Sequence, residues 1–253
     1  MKFNAVQALV GHVPFISPAN AEYLYKLILR EKLDRILELG IAHGTATCYM
    51  AAALQELGRG KITCVDLLEA AHWYRPSPEE QLSLTGLGEF AEIFRMKTGY
   101  TWFLHDKIRE STTDDICREE YDLCVIDGPK NWTIDGGAFF FVDKLLKPGG
   151  WLVFDDYLWT YEEANSRRDA TDGITHRTLS DDERKVPHIR DVFELLVVQH
   201  PNYANFIRLR SWAIAQKIPG AAKTYTVKYE FTYKDFVVRA LHKVGRRLHL
   251  IKS

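Results

Sequence analysis

Three carboxylates, Asp127, Asp155 and Asp156, follow two apolar runs, residues 121–126 (YDLCVI) and 151–154 (WLVF). Continuous apolar runs of this length suit strands buried on both faces of a parallel sheet. Neighbouring strands lie about 4.8 Å apart, so acids at their ends can converge on one point. Converging carboxylates repel unless they are protonated or a cation neutralises them. A hard divalent ion with oxygen ligands, Mg2+ first, meets that need and leaves room for an acceptor hydroxyl and water. The plainer alternative is that each acid only caps the turn it begins. Lys130 stands three residues after Asp127. It can remove a proton from a bound hydroxyl or stabilise the alkoxide. As a base it must be partly neutral near pH 7, which a nearby divalent cation favours; otherwise it is a solvated loop lysine.

A second group sits after an earlier apolar run, in the pattern Glu38, Gly40, Gly44. Glycines there let the backbone turn sharply and approach a ligand. The helix expected from Thr45 turns free N–H groups toward that bend, a suitable setting for the carboxylate of a bound amino acid. A dinucleotide fingerprint needs a third glycine that this chain lacks; a tight turn without ligand remains the alternative. Asp66 ends the next strand beside the same turn, where its two oxygens can accept both hydroxyls of a ribose. His43, inside the turn, reads best as a histidine bonded to backbone.

The elements that must position these groups alternate. Ser17 and Pro18 start a helix after an irregular N-terminus. Residues 35–39 form strand one, 45–57 a helix closed by Gly58, and 61–65 strand two. Ser77 and Pro78 open a second helical stretch ending near Lys97, and 100–105 is expected as strand three. Strand four (121–126), a helix (134–146), strand five (151–154), a helix (192–198) and two strands (204–209 and 212–216) joined at Arg210 and Ser211 complete the order. This predicts a doubly wound α/β sheet with the motif-bearing strand ends on one edge.

The Glu38–Gly44 motif resembles that of class I S-adenosylmethionine-dependent methyltransferases. Residues 121–157 resemble the metal-dependent O-methyltransferases, both the catechol type and the sugar- and antibiotic-tailoring type. The resemblance spans roughly residues 33–217 by order of elements. It implies a mostly parallel, seven-stranded Rossmann-like sheet, with S-adenosylmethionine held by Glu38, Gly40, Gly44, Asp66 as ribose ligand, and Asp106 as candidate for the adenine amino group. It also implies metal ligation by Asp127, Asp155 and Asp156, with Lys130 catalytic. The catechol type has lysine at the position of Lys130, whereas the sugar-tailoring type has histidine there.

Within 253 residues, 46% hydrophobic and 26% charged, the formal net charge of -1 supplies no general drive toward nucleic acid. The four cysteines form no CxxC pair and read as reduced thiols of a cytoplasmic protein. No apolar stretch approaches the roughly 20 residues of a membrane span, and no signal peptide is evident. Residues 160–186, with seven acids and five Lys or Arg, are expected as a lid or as a solvated insertion. Residues 1–217 are expected as the methyltransferase domain and 218–253 as an extension. Its basic amphipathic helix most simply docks on its own domain or on a second subunit, which leaves a homo-oligomer through that helix as one of the two favoured uses and peripheral membrane contact as the less favoured one. The resulting expectation is a metal-assisted O-methyltransferase acting on a small-molecule or sugar hydroxyl. The rivals are a metal-independent methyltransferase and a noncatalytic RNA- or membrane-binding module on the same fold.

Overall fold

The computed structural model describes residues 2–163 and 170–220. The chain divides into two units, Met1–Gly220 and Ala221–Ser253, so the basic helix expected near the C-terminus lies outside the described residues. Among those described, no helix is long and apolar enough to cross a membrane.

The N-terminal segment is a helix rather than irregular chain: α1 (Phe3–Val10) buries Val6 and Val10 completely. α2 (Pro18–Glu31) starts as expected, with the Ser17 hydroxyl accepting from the Asn20 amide at 3.1 Å. β1 (Arg35–Leu39), α3 (Thr45–Leu57) and β2 (Lys61–Leu67) follow at the expected places. α4 (Pro78–Thr85) opens with a reciprocal capping box between Ser77 and Glu80.

The chain then departs from expectation. α4 ends at Gly86, which is left-handed at φ 66°, so the helix does not run to Lys97. β3 is Ala91–Met96, paired parallel to β2 from Ile62 and Ala91 to Leu67 and Met96. Residues 100–105 belong to α5 (Tyr100–Ser111), whose buried Tyr100, Phe103 and Leu104 recur at helical spacing. The aromatic residues of 100–105 suit a strand as well as a helix, and residues 91–96 (AEIFRM) carry no clean alternation.

A two-residue hairpin, β4 (Thr112–Thr113) with β5 (Ile116–Cys117), leads to β6 (Tyr121–Ile126), α6 (Trp132–Leu145) and β7 (Leu146–Phe154). The described part of the 160–186 insertion holds an isolated bridge between Thr171 and Thr178 and the short α7 (Asp181–Lys185). α8 (His188–Asp191) continues into one π-helical stretch, Val192–Val197, before β8 (Tyr203–Leu209) and β9 (Trp212–Lys217).

The main sheet has seven strands in the order β3-β2-β1-β6-β7-β9-β8. Pairings from β3 to β7 are parallel, and β9 is antiparallel to both β7 and β8. Alternate side chains feed two cores. Ile36, Ile62, Leu123 and Val153 face α1, α2 and α3, while Leu37, Leu39, Ile126 and Phe154 face α5, α6 and the π-helical stretch. The strand order reverses between β1 and β6, the position where doubly wound sheets open a crevice for ligand.

Candidate active site

β1 and β6 run in register, Leu39 beside Ile126, so the turn after β1 and the acid after β6 leave the sheet side by side. The Asp127 amide donates to the Leu39 carbonyl at 2.8 Å, and the Asp155 amide donates to the Ile126 carbonyl at 3.2 Å. Three consecutive strands thereby deliver the β1 turn, Asp127 and Asp155 to one edge. Gly40 is at φ 86°, and a Cβ there would run into the Asp127 carbonyl. Only glycine lets the two loops meet so closely.

Glu38 points to the α3 side of the sheet and is 2% exposed. Its Oε2 accepts from the Thr47 hydroxyl at 2.6 Å and the Cys64 thiol at 3.4 Å. Burial outweighs both bonds and, with the charges of Asp127 and Asp66, pushes this acid up to about 8. Asp66 shapes the turn: Oδ2 accepts from the Ile41 and Ala42 amides at 3.1 and 3.2 Å, and Oδ1 from the Leu67 amide at 2.7 Å. Gly44, left-handed at φ 74°, is the N-cap of α3. His43 bonds backbone, as read from sequence, through Nδ1 to the Pro76 carbonyl at 2.8 Å. A small pocket between these elements is lined by residues including Phe15, Glu38, Gly40, His43, Thr45 and Asp127. Phe15 had no sequence signal. It holds φ 80°, is 61% exposed, and stacks on His43 at 5.5 Å.

Asp106 does not join this group. It lies within α5, paired with the His105 ring at 2.9 Å. The reason for naming it, a place at the end of a third strand, is corrected by the helical course of residues 100–111.

At the other side of Asp127 two of the three acids, Asp127 and Asp156, meet one cation. Lys130 Nζ donates to Asp127 Oδ1 and lies 3.6 Å from Asp156 Oδ2. The lysine is 5% exposed. Burial, which lowers its pKa, is overcome by Asp127, then Asp156, and the pKa is raised. Asp127 and Asp156 thus favour the ammonium form of Lys130, whereas the partly neutral lysine expected of a base relies on a divalent cation beside it. Asp155 Oδ1 accepts from the Asp156 amide at 2.6 Å and the Ser211 hydroxyl at 3.0 Å. Burial, with Asp127 and Asp156, raises the Asp155 acid to about 7. Lys130 and Asp156 both have left-handed backbones, at φ 63° and 58°.

Three carboxylates against one ammonium leave an excess of negative charge, and hard oxygen donors suit a divalent ion such as Mg2+. The oxygen donors are of the type such an ion takes. As the side chains stand, no three Asp, Glu, His or Cys among the described residues are grouped to enclose an ion.

Sequence reasoning also missed the supports of the Asp127–Trp132 loop. Tyr100 Oη donates to Asp135 Oδ1, and Asp135 Oδ2 accepts from the Asn131 amide at 2.6 Å. Asp135 is fully buried. Its place in the first turn of α6, four residues after the N-cap Asn131, was the available signal.

The family model for a methyltransferase domain matches residues 37–157. No curated protein sequence matches this chain. Among solved structures, an O-methyltransferase from Bacillus cereus in complex with SAH is 19% identical, with TM-score 0.57, covering 85% of this chain and 86% of that one. The Streptomyces achromogenes O-methyltransferase TomG, involved in tomaymycin synthesis and in complex with SAM, is 18% identical at TM-score 0.57, covering 85% and 88%. The SAH-bound Podospora anserina methyltransferase PaMTH1 is 13% identical at TM-score 0.59, covering 85% and 87%. These structural likenesses establish a shared fold.

Proposed function

We propose that residues 37–157, which match the model of a methyltransferase domain, bind S-adenosylmethionine on the Rossmann-like fold, and that the protein methylates a hydroxyl of a small-molecule or sugar acceptor. One observation carries the reading: Glu38 and Gly40 of the cofactor turn line the same pocket as Asp127, whose carboxylate holds the Lys130 ammonium. The solved O-methyltransferases with SAH or SAM bound support the cofactor and the choice of oxygen as acceptor.

In this reading the α3 N-terminus receives the cofactor carboxylate, and Asp66 accepts ribose hydroxyls with the lone pairs not used by the turn. The acceptor oxygen attacks the sulfonium methyl, an O–C bond forms as the C–S bond breaks, and the sulfur leaves as a neutral thioether. The hydroxyl proton passes to the acid cluster. Lys130, held as an ammonium, stabilises the negative charge that develops on the oxygen. Positioning the two reactants about 3 to 3.5 Å apart supplies much of the rate. A divalent ion held by Asp127, Asp155 and Asp156 would neutralise the excess charge and polarise the acceptor hydroxyl.

A metal-independent reaction is the second reading, favoured by the contact of Lys130 with Asp127 and its approach to Asp156, which already places a cation among the acids. Calorimetry with S-adenosylhomocysteine tests the cofactor site. Methyl transfer from isotopically labelled S-adenosylmethionine to a panel of catechols, sugars and other hydroxyl compounds, with Mg2+ or with EDTA, tests the reaction. Absence of S-adenosylhomocysteine binding would overturn the proposal, and turnover unchanged by EDTA would select the second reading.

A further inference from the structure

The loop that presents Lys130 is fastened to the polar insertion. Tyr161 Oη donates to the Pro129 carbonyl at 3.0 Å, and Asn131 Nδ2 donates to the Thr171 carbonyl at 2.9 Å. The Trp132 amide donates to His188 Nδ1 at 3.0 Å. Since Nδ1 accepts, the ring proton belongs on Nε2, which donates to the Glu183 carbonyl at 2.8 Å. His188 therefore joins the start of α6 to the middle of α7 with both ring nitrogens.

These are interior contacts. Tyr161 and His188 are both buried, and their rings lie 5.2 Å apart. Gly173 packs so closely on α6 that a Cβ would strike the Ile134 side chain. From the sheet side, Asp135 holds the Asn131 amide while the Tyr100 ring presses on Gly128. Lys130 sits between the two sets of supports at φ 63°. A left-handed lysine is strained and persists only where its surroundings enforce it.

We propose that Tyr161 and His188 are positioning residues: through the Pro129 carbonyl and the Trp132 amide they hold the Lys130 ammonium against Asp127 and Asp156. The insertion thereby acts on the reaction from outside the pocket, as a brace for the charged end of the site. This rests on the proposed function only in placing Lys130 at the reacting end, and its test requires no turnover.

The test is pulse acetylation of the full chain with trace acetic anhydride, with lysine rates read from peptide masses, in wild type, Tyr161→Phe, His188→Leu and His188→Gln. Lys147, paired with Asp122 at the opposite end of β6, is the internal reference. Lys130 is expected to react slowly in wild type and at least about tenfold faster in His188→Leu, with a smaller rise in Tyr161→Phe, as local opening becomes easier. His188→Gln should restore slow labelling, because its carbonyl can accept from Trp132 and its amide can donate to Glu183. Unchanged Lys130 rates in both Tyr161→Phe and His188→Leu would overturn the brace, as would an equal rise at Lys147, which marks general loosening. The Tyr161→Phe variant keeps the ring and its packing, so the test stands if His188→Leu folds poorly. S-adenosylhomocysteine binding by wild type reports separately on the proposed function.

Discussion

Lys130 donates to the carboxylate of Asp127, three residues before it, and Asp156 lies 3.6 Å from the same ammonium. Removing the lysine leaves two acids without that cation and the acceptor oxygen without its nearest positive charge. Lys130→Ala is expected to lower kcat by roughly 100- to 1,000-fold, the scale of losing one transition-state donor. S-adenosylhomocysteine affinity should change by less than about threefold, since the cofactor turn is held by Asp66 and Glu38 contacts elsewhere. Lys130→Arg should not rescue turnover, because a planar fork cannot replace a compact ammonium in that space. Labelled-methyl transfer and calorimetry measure the two effects; wild-type turnover in Lys130→Ala would remove the role.

Mg2+ binding should depend on pH through Asp155. Its acid is raised to about 7 by burial and by Asp127 and Asp156, and an ion takes the ionised carboxylate. Affinity is therefore expected to rise between pH 6 and about 7.5, with protons released on binding at the acid end, and then level off. Calorimetry in buffers of different ionisation enthalpy gives the proton count. Asp155→Asn should flatten the profile and weaken the ion; equal affinity at every pH would exclude Asp155 as a ligand.

Glu38 makes a prediction for stability. The unfolded carboxyl ionises near 4.5 and the folded one at about 8, burial being the main cause. Below pH 4.5 both states keep the proton. Between 4.5 and 8 the unfolded state loses it while the folded state retains it, so folding weakens as pH rises; above 8 the penalty is constant at a few kcal/mol. Glu38→Gln is expected to flatten Tm between pH 5 and 8 and to exceed wild type at pH 8. Parallel Tm profiles for the two proteins would contradict the burial argument.

How much of this was legible in the sequence follows from where the information lies. β1, β2 and β6 were readable because apolar runs buried on both faces leave a strong local signal, and acids at their ends place themselves. β3 and α5 were exchanged because an edge strand with the sequence of residues 91–96 needs β2 beside it to be recognised, whereas the aromatic residues 100–105 suit either state. The approach of Lys130 to Asp156 was not legible either, because Asp156 follows another strand. The brace from Tyr161 and His188 joins residues 32 and 56 positions apart, and no periodicity marks such pairs.

The closeness of the cofactor turn to the acid cluster gives the last prediction. Gly40 at φ 86° would drive a Cβ into the Asp127 carbonyl, whereas Gly58 at φ 71° has nothing within 4 Å of the same atom. Both positions are left-handed, so alanine at either costs about 1 kcal/mol in backbone strain. At Gly58 that is the whole effect, and Gly58→Ala should lower Tm by a few degrees with unchanged S-adenosylhomocysteine binding. At Gly40 the added methyl must also part β1 from β6 where Leu39 holds the Asp127 amide. Gly40→Ala should therefore weaken S-adenosylhomocysteine by at least about tenfold and at the same time release Lys130 to faster acetylation, because Asp127 anchors the lysine. Calorimetry and peptide labelling on the two variants separate strain from contact. If Gly40→Ala behaved like Gly58→Ala in both measurements, the cofactor turn and the acid cluster would not be mechanically joined.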